Sequence, residues 1–273
     1  MPERDAIAGI DAPRTRSSLA RDLRALSLAP ADTVIVHSSL SAIGWVAGGP
    51  VAVVQALLDV LGDAGTLVMP TQSADNSDPA AWENPPVPQA WWPTIRAEMP
   101  AFDPAVTPTR GMGRVPELFR TWPGVMRSAH PALSFAALGP RAREIVEGHG
   151  FDDAFGEASP LGRLYLLDAR ILLLGVGYDS NTSLHLAEYR LPGMPRTTNG
   201  AAATVDGIRK WVTYSDVVHL DSDELFPPLG AAFEAAHLQC TGKVGSAESR
   251  LLPMRALLDF AVPWLAGRLE AAK

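Results

Sequence analysis

Two short apolar runs, separated by one helix-length stretch, constrain this chain most. Thr33-Val34-Ile35-Val36 and Thr66-Leu67-Val68-Met69 are β-branched or apolar throughout, the composition of strands buried on both faces. Between them Gly48-Gly49-Pro50 opens a helix over residues 51–61, with Pro50 near its first position, and Gly62-Asp63-Ala64-Gly65 makes the return turn. A strand–helix–strand unit of this kind belongs to an α/β sheet. A third run, Ile171-Leu172-Leu173-Leu174, ends in the loop Gly175-Val176-Gly177-Tyr178-Asp179-Ser180 and reads as another buried strand.

The remaining segments fit around that sheet. Residues 17–29 form an amphipathic helix with Leu19, Leu23, Leu26 and Leu28 near one face. Residues 71–109 are rich in Pro, Asn and Asp, carry Trp82, Trp91 and Trp92, and lack clear periodicity, which predicts a functional loop or lid. Helices are expected over 115–121, 140–148, 159–167, 229–238 and 253–266, the last kinked at Pro263. Strands are expected at 134–138 and within 201–220. With no internal repeat, low-complexity tract or linker, residues 1–273 read as one compact α/β domain: a central, largely buried β-sheet flanked by helices, with long functional loops.

Composition excludes several classes. No apolar run approaches the roughly 18 residues of a membrane span, and Met1-Pro2-Glu3-Arg4-Asp5 lacks the basic and apolar regions of a signal peptide. The single cysteine, Cys240, excludes an intrachain disulfide framework and a Cys-based zinc site. A cytoplasmic protein without a metal is expected. Net charge is −7 with no long basic stripe, which argues against nucleic acid. The charge is unevenly spread. Residues 211–242 hold Asp216, Asp221, Asp223, Glu224 and Glu234 without a Lys or Arg, and residues 71–95 hold Asp75, Asp78 and Glu83 likewise. Residues 102–143 hold Arg110, Arg114, Arg120, Arg127, Arg141 and Arg143 against Asp103 and Glu117. Acidic stretches attract a polycation and an arginine-rich one suits phosphates; solvated loops and helix faces are the plain alternative.

Four segments carry candidate chemistry. In Asn181-Thr182-Ser183-Leu184-His185-Leu186-Ala187-Glu188-Tyr189-Arg190, Ser180 or Asn181 caps a helix that runs toward Pro192. His185 and Glu188 then share a face just past a strand's carboxyl end, where α/β enzymes place acid–base chemistry. A capped helix with a partly buried His and a surface Glu is the structural alternative. His37-Ser38-Ser39-Leu40-Ser41 also follows a strand, and its hydroxyls and N–H groups suit phosphate, amide or thioester oxygens. Thr109-Arg110-Gly111-Met112-Gly113-Arg114 lets backbone approach a ligand, and Ser128-Ala129-His130-Pro131-Ala132-Leu133-Ser134 adds a His and two hydroxyls; ordinary polar turns would explain all three. Gly175-Val176-Gly177 lacks the third glycine of a dinucleotide fingerprint, Ser180 standing there, and no Gly-x-Ser-x-Gly elbow is present.

Together these segments resemble the aminoglycoside 3-N-acetyltransferase family from about residue 32 to 265. The carrying motifs are residues 37–41 with Ile43-Gly44 and Gly48-Gly49, Gly65-Thr66-Leu67 with Met69-Pro70-Thr71, residues 110–117, Arg127–Pro131 with Ser134–Ala137, residues 181–188, and Gly242–Ala247. The resemblance implies that family's own α/β fold, distinct from the GNAT fold. It implies acetyl-CoA as donor and the 3-amine of a deoxystreptamine antibiotic as acceptor, hence resistance. It places catalysis on His185 and Glu188; His37, which ends the first strand beside the expected thioester pocket, is a further candidate from its position. The resemblance puts coenzyme contacts at Ser38, Ser39, Leu40, Ser41, Thr109, Arg110, Met112, Gly113, Ser128, His130 and Ser134. On the acceptor side Asp221 and Asp223 match a family segment; Asp75, Trp82, Glu83, Asp179 and Glu188 are the other candidates for a polycation. The reaction implied is direct amine attack assisted by a His base, with backbone N–H groups around Ser39 or Met112 facing the oxyanion, in a monomer or homodimer. The rival functions are acetyl transfer to another amine and non-catalytic polycation binding.

Overall fold

A computed structural model describes residues 7, 10–236 and 240–271. In chain order, α1 (Arg16–Ala25) leads to β1 (Thr33–Ser38), and α2 (Leu40–Ile43) and α3 (Gly49–Leu61) cross to β2 (Thr66–Pro70). α4 (Trp92–Glu98) and α5 (Arg114–Phe119) precede β3 (Met126–Arg127) and β4 (Phe135–Leu138), and α6 (Ala142–Val146) and α7 (Pro160–Leu166) precede β5 (Arg170–Leu174). α8 (His185–Tyr189), the hairpin β6 (Arg196–Val205) and β7 (Ile208–Val217), α9 (Ser222–Ala236), β8 (Cys240–Val244), β9 (Ala247–Pro253) and α10 (Met254–Ala271) follow.

Seven strands form one sheet in the order β3-β4-β2-β1-β5-β9-β8. β1 is parallel to both β2 and β5, and the outer strands are antiparallel. Alternate residues feed opposite faces. Ile35, Val68, Phe135, Ile171 and Leu173 join one core with α8, α9 and α10. Val34, Val36, Leu67, Met69 and Leu174 join the other with α1 and α3. The expected α/β class, with a buried central sheet between helices, is what the chain adopts. The chain steps from β1 to β2 on one side and later adds β5 on the other side of β1. The β1/β5 boundary is thus the topological switch point, where open α/β sheets bind ligands.

Several elements depart from the sequence reading. The 71–109 stretch is not without regular structure: it holds α4 and two single 3₁₀ turns, Pro79–Ala81 and Gln89–Trp91. Arg127 ties it to the sheet. Its guanidinium donates to the Thr71 and Thr107 carbonyls, both at 2.6 Å, and to the Ser73 hydroxyl at 2.7 Å. The helix expected from residue 229 begins at Ser222, because Asp221 caps it upstream of Pro227-Pro228; the expected end at 238 lies outside the described residues. The β8–β9 hairpin was hidden in a glycine-rich run whose cross-strand pair Lys243–Glu248 (3.3 Å) faces solvent. No helix among the described residues is long and apolar enough to cross a membrane.

Candidate active site

β1 and β5 end level with each other, with His37 beside Leu173 and Ser38 beside Leu174. Past Leu174 the chain bends at Gly175, whose φ is 71° and where a Cβ would lie 2.6 Å from the Ala42 Cβ, so only glycine fits. The single helix expected from Ser180 or Asn181 is instead broken. Two 3₁₀ turns, Tyr178–Ser180 and Thr182–Leu184, precede α8. Asn181 separates them, its side chain accepting the Ser183 N–H at 3.2 Å.

The short α8 nevertheless pairs His185 with Glu188 as their spacing requires. His185 Nδ1 lies 3.0 Å from Glu188 Oε2. Its ring stacks on Phe155, centroids 5.1 Å apart and planes 12° from parallel, which fixes its orientation. Glu188 is no surface residue: it is fully buried. Its Oε2 also meets His219 Nδ1 at 2.6 Å, and its Oε1 accepts the Leu220 N–H at 3.2 Å. Burial pushes the carboxyl up, but the two imidazole donors outweigh it and hold Glu188 below the usual carboxylate range. The ligand-type atoms of His185, Glu188 and His219 lie within 4.8 Å of one another, and the nitrogen–oxygen separations are those of N–H···O hydrogen bonds. With Nδ1 engaged, Nε2 of His185 is the nitrogen left for the cleft.

That cleft has a volume of about 920 Å³ and follows the carboxyl ends of β1, β2 and β5. It is lined by the whole predicted 37–41 run, by Met112 and Gly113, and by Asp179 and His185. Burial, and then the nearby His185 charge, push the His37 imidazole down to about 3, so it is neutral at physiological pH. His37 Nε2 and Ser38 Oγ, on two residues of the lining, are buried without a hydrogen-bond partner among the described residues. Ser39 N–H has a partner: it donates to the Leu174 carbonyl at 3.0 Å.

Other predicted residues lie elsewhere. Ser128, His130 and Ser134 are buried off the cleft. Ser128 Oγ accepts the Phe135 N–H and bonds His149 Nδ1, His130 Nδ1 accepts the Leu133 N–H, and Ser134 donates to the Thr71 carbonyl. Thr109 is held by Glu117, and exposed Arg110 lies 3.5 Å from Asp75. Trp82 donates to Ser77, Glu83 is exposed, and Asp221 and Asp223 sit at the start of α9. Within the arginine-rich stretch Arg120, Arg141 and Arg143 pair with Glu117, Glu144 and Glu147. Arg114 lines the cleft, exposed and without an ion-pair partner among the described residues. Sequence reasoning missed His219 and the Tyr189–Asp216 hydrogen bond beside it. His219 follows a strand between Val218 and Leu220 and has no local signature.

A buried carboxylate bonded to an imidazole at the switch point of an α/β sheet, beside a ligand-sized cleft, is an arrangement that enzymes of the α/β class use for acid–base chemistry. Residues 35–266 match the family described as Aminoglycoside 3-N-acetyltransferase, and the chain belongs to that family of acyltransferases. It is 50% identical over 253 residues to the SPbeta prophage-derived aminoglycoside N(3')-acetyltransferase-like protein YokD of Bacillus subtilis, covering 92% of each chain. The crystal structure of YokD superposes with a TM-score of 0.94 at 48% identity over 97% of each chain. Aminoglycoside N(3)-acetyltransferase VII of Streptomyces paromomycinus is 39% identical over 273 residues, 95% of this chain and 94% of its own. A binary complex of AAC-IIIb with CoASH has a TM-score of 0.83 at 32% identity, covering 94% of this chain and 98% of that one.

Proposed function

We propose that this protein transfers the acetyl group of acetyl-CoA to the 3-amine of the deoxystreptamine ring of aminoglycosides, and so confers resistance to them. The observation that carries the reading is His185, oriented by buried Glu188, at the wall of the cleft. The family and the names of the relatives supply the acceptor class, and the AAC-IIIb complex the coenzyme. The cleft suits the donor: its volume is at the upper end of ligand pockets, roughly 300–1,000 Å³. Ser38 Oγ is unpartnered in its wall and the Arg114 guanidinium is open to a phosphate.

The acceptor amine attacks the thioester carbonyl, and its proton passes to His185 Nε2. Glu188 holds Nδ1–H and stabilises the imidazolium. The carbon–sulfur bond breaks and the thiolate of coenzyme A leaves. Ser39 N–H is consumed by the sheet, which leaves the backbone N–H groups around Met112, a residue of the cleft lining, as the candidates for the oxyanion. Thiol release from acetyl-CoA with a panel of 4,5- and 4,6-disubstituted aminoglycosides is the test. His185→Ala should lower turnover by about 10²–10⁴ with coenzyme affinity within several-fold. Wild-type turnover in that variant removes His185 from the mechanism, and absence of thiol release across the panel removes the proposed acceptor.

A further inference from the structure

Two buried phenyl rings pack on the His185 imidazole. Phe226 meets it at 59° with centroids 5.3 Å apart. Phe155 lies flat against it: with the planes 12° from parallel and the centroids 5.1 Å apart, it turns its face, not its edge, to the imidazole. A phenyl face carries partial negative charge and the edge partial positive charge. A cation within about 6 Å of the centroid is drawn to the face, the more strongly where water is excluded. His185 becomes such a cation when the amine proton reaches Nε2. The fold fixes Phe155 in this place, although it stands between α6 and α7 in a stretch without helix or strand. His149 Nε2 donates to the neighbouring Ala154 carbonyl at 2.8 Å, and Asp153 accepts the Ala158 N–H at 2.5 Å. Phe135 of β4 packs on the Phe155 ring at 81° with centroids 6.0 Å apart.

We propose that Phe155 is a positioning residue for the acyl transfer: its ring face holds the plane of His185 and stabilises the imidazolium that forms there, which makes His185 a stronger base than Glu188 alone would. The inference rests on the reading of His185 as base. The titratable groups that face His185 are Glu188 on α8, His219 after β7 and His37 on β1, and Asp179 lines the same cleft. All four stay in place when only the electrons of the Phe155 ring are changed. A ring with a less negative face disfavours the imidazolium. His185 then loses its proton at a lower pH, and it accepts the amine proton less readily.

Progressively fluorinated phenylalanines at position 155, up to pentafluorophenylalanine, separate this role from packing, because they keep the shape of the ring while its face passes from negative to positive. Along the series the acid limb of the kcat/KM profile should move stepwise to lower pH, by about one pH unit at pentafluorophenylalanine, and the plateau kcat should fall about fivefold. The acetyl-CoA KM should be unchanged. Phe155→Leu, apolar but without a ring face, should move the acid limb in the same direction. A readout without turnover keeps the reading of His185 separate. In the resting enzyme the NMR titration midpoint of the His185 Cε1–H should fall in the same order as the acid limb. An unmoved midpoint overturns the proposal even if His185→Ala is inactive, as does a loss of kcat that follows melting temperature rather than fluorine content. Full activity of His185→Ala instead sinks the assignment of the base, and the role of Phe155 with it, whatever the midpoint does.

Discussion

At the scale of single residues, charge and burial separate groups that look alike in the sequence. Glu188→Gln keeps the shape but replaces an acceptor for two imidazole N–H groups with an amide that can accept only at one end. His185 is then driven toward the wrong tautomer, and kcat should fall by about 10²-fold or more, with little change in coenzyme KM; steady-state kinetics decides, and unchanged parameters would dismiss the carboxylate from catalysis. The arginines divide similarly. Burial pushes the Arg127 guanidinium down to about 10, yet it still binds carbonyls on both sides of the 71–109 segment. Arg127→Ala should cost about 3 kcal/mol in urea unfolding by orphaning those carbonyls. Arg114→Ala should leave stability intact and weaken coenzyme binding about tenfold, the worth of one charge-assisted hydrogen bond; calorimetric titration with CoA checks this. The sequence showed both only as members of one basic run, because the distinction lies in which of them the carbonyls of the 71–109 segment surround.

At the scale of elements, short helices here are defined by their ends. α8 has five residues and no propensity to stand alone; Asn181 ahead of it and the packing of Leu186 and Ala187 set it in place. α9 depends on Asp221, whose Oδ1 accepts the N–H groups of Asp223 and Glu224 at 3.0 and 3.1 Å. Asp221→Ala should destabilise the fold by about 1 kcal/mol, whereas Asp221→Asn, an equally good cap, should not. The Asn variant therefore isolates the charge: if aminoglycoside KM rises in Asp221→Asn at unchanged melting temperature, Asp221 also meets the acceptor. The β6–β7 hairpin was legible as strands because its residues alternate, and its turn is Asp206-Gly207, with φ of 54° and 75°, as a two-residue hairpin demands.

At the scale of the whole molecule, three imidazoles are folded into apolar surroundings. Burial pushes His149 down to about 3, helped by the neighbouring His130 charge, and pushes His130 down to about 4; His37 stands at about 3. The unfolded chain takes up these protons near pH 6.5 and the folded one does not, so their contribution is complete above about pH 6.5 and is lost as pH falls toward 4, by up to about 1.4 kcal/mol per pH unit for each imidazole. Unfolding free energies measured between pH 7.5 and 4.5 should show that slope, and His149→Asn, though less stable, should flatten it. An unaltered slope in the variant would show that water reaches the pair. His130 and His149 also illustrate what local sequence determines and what it does not. The runs at 33–36, 66–69 and 171–174 specified buried strands because apolar β-branched pattern is a local property, and the three-residue spacing of His185 and Glu188 specified their pairing for the same reason. Only the tertiary structure decided that Ser128 and His130 are buried away from the cleft while Ser38 lines it, and that His219, 31 residues beyond Glu188, shares its carboxylate. Those choices depend on strand order and on burial, which join residues distant in the chain and leave no periodicity in it to be read.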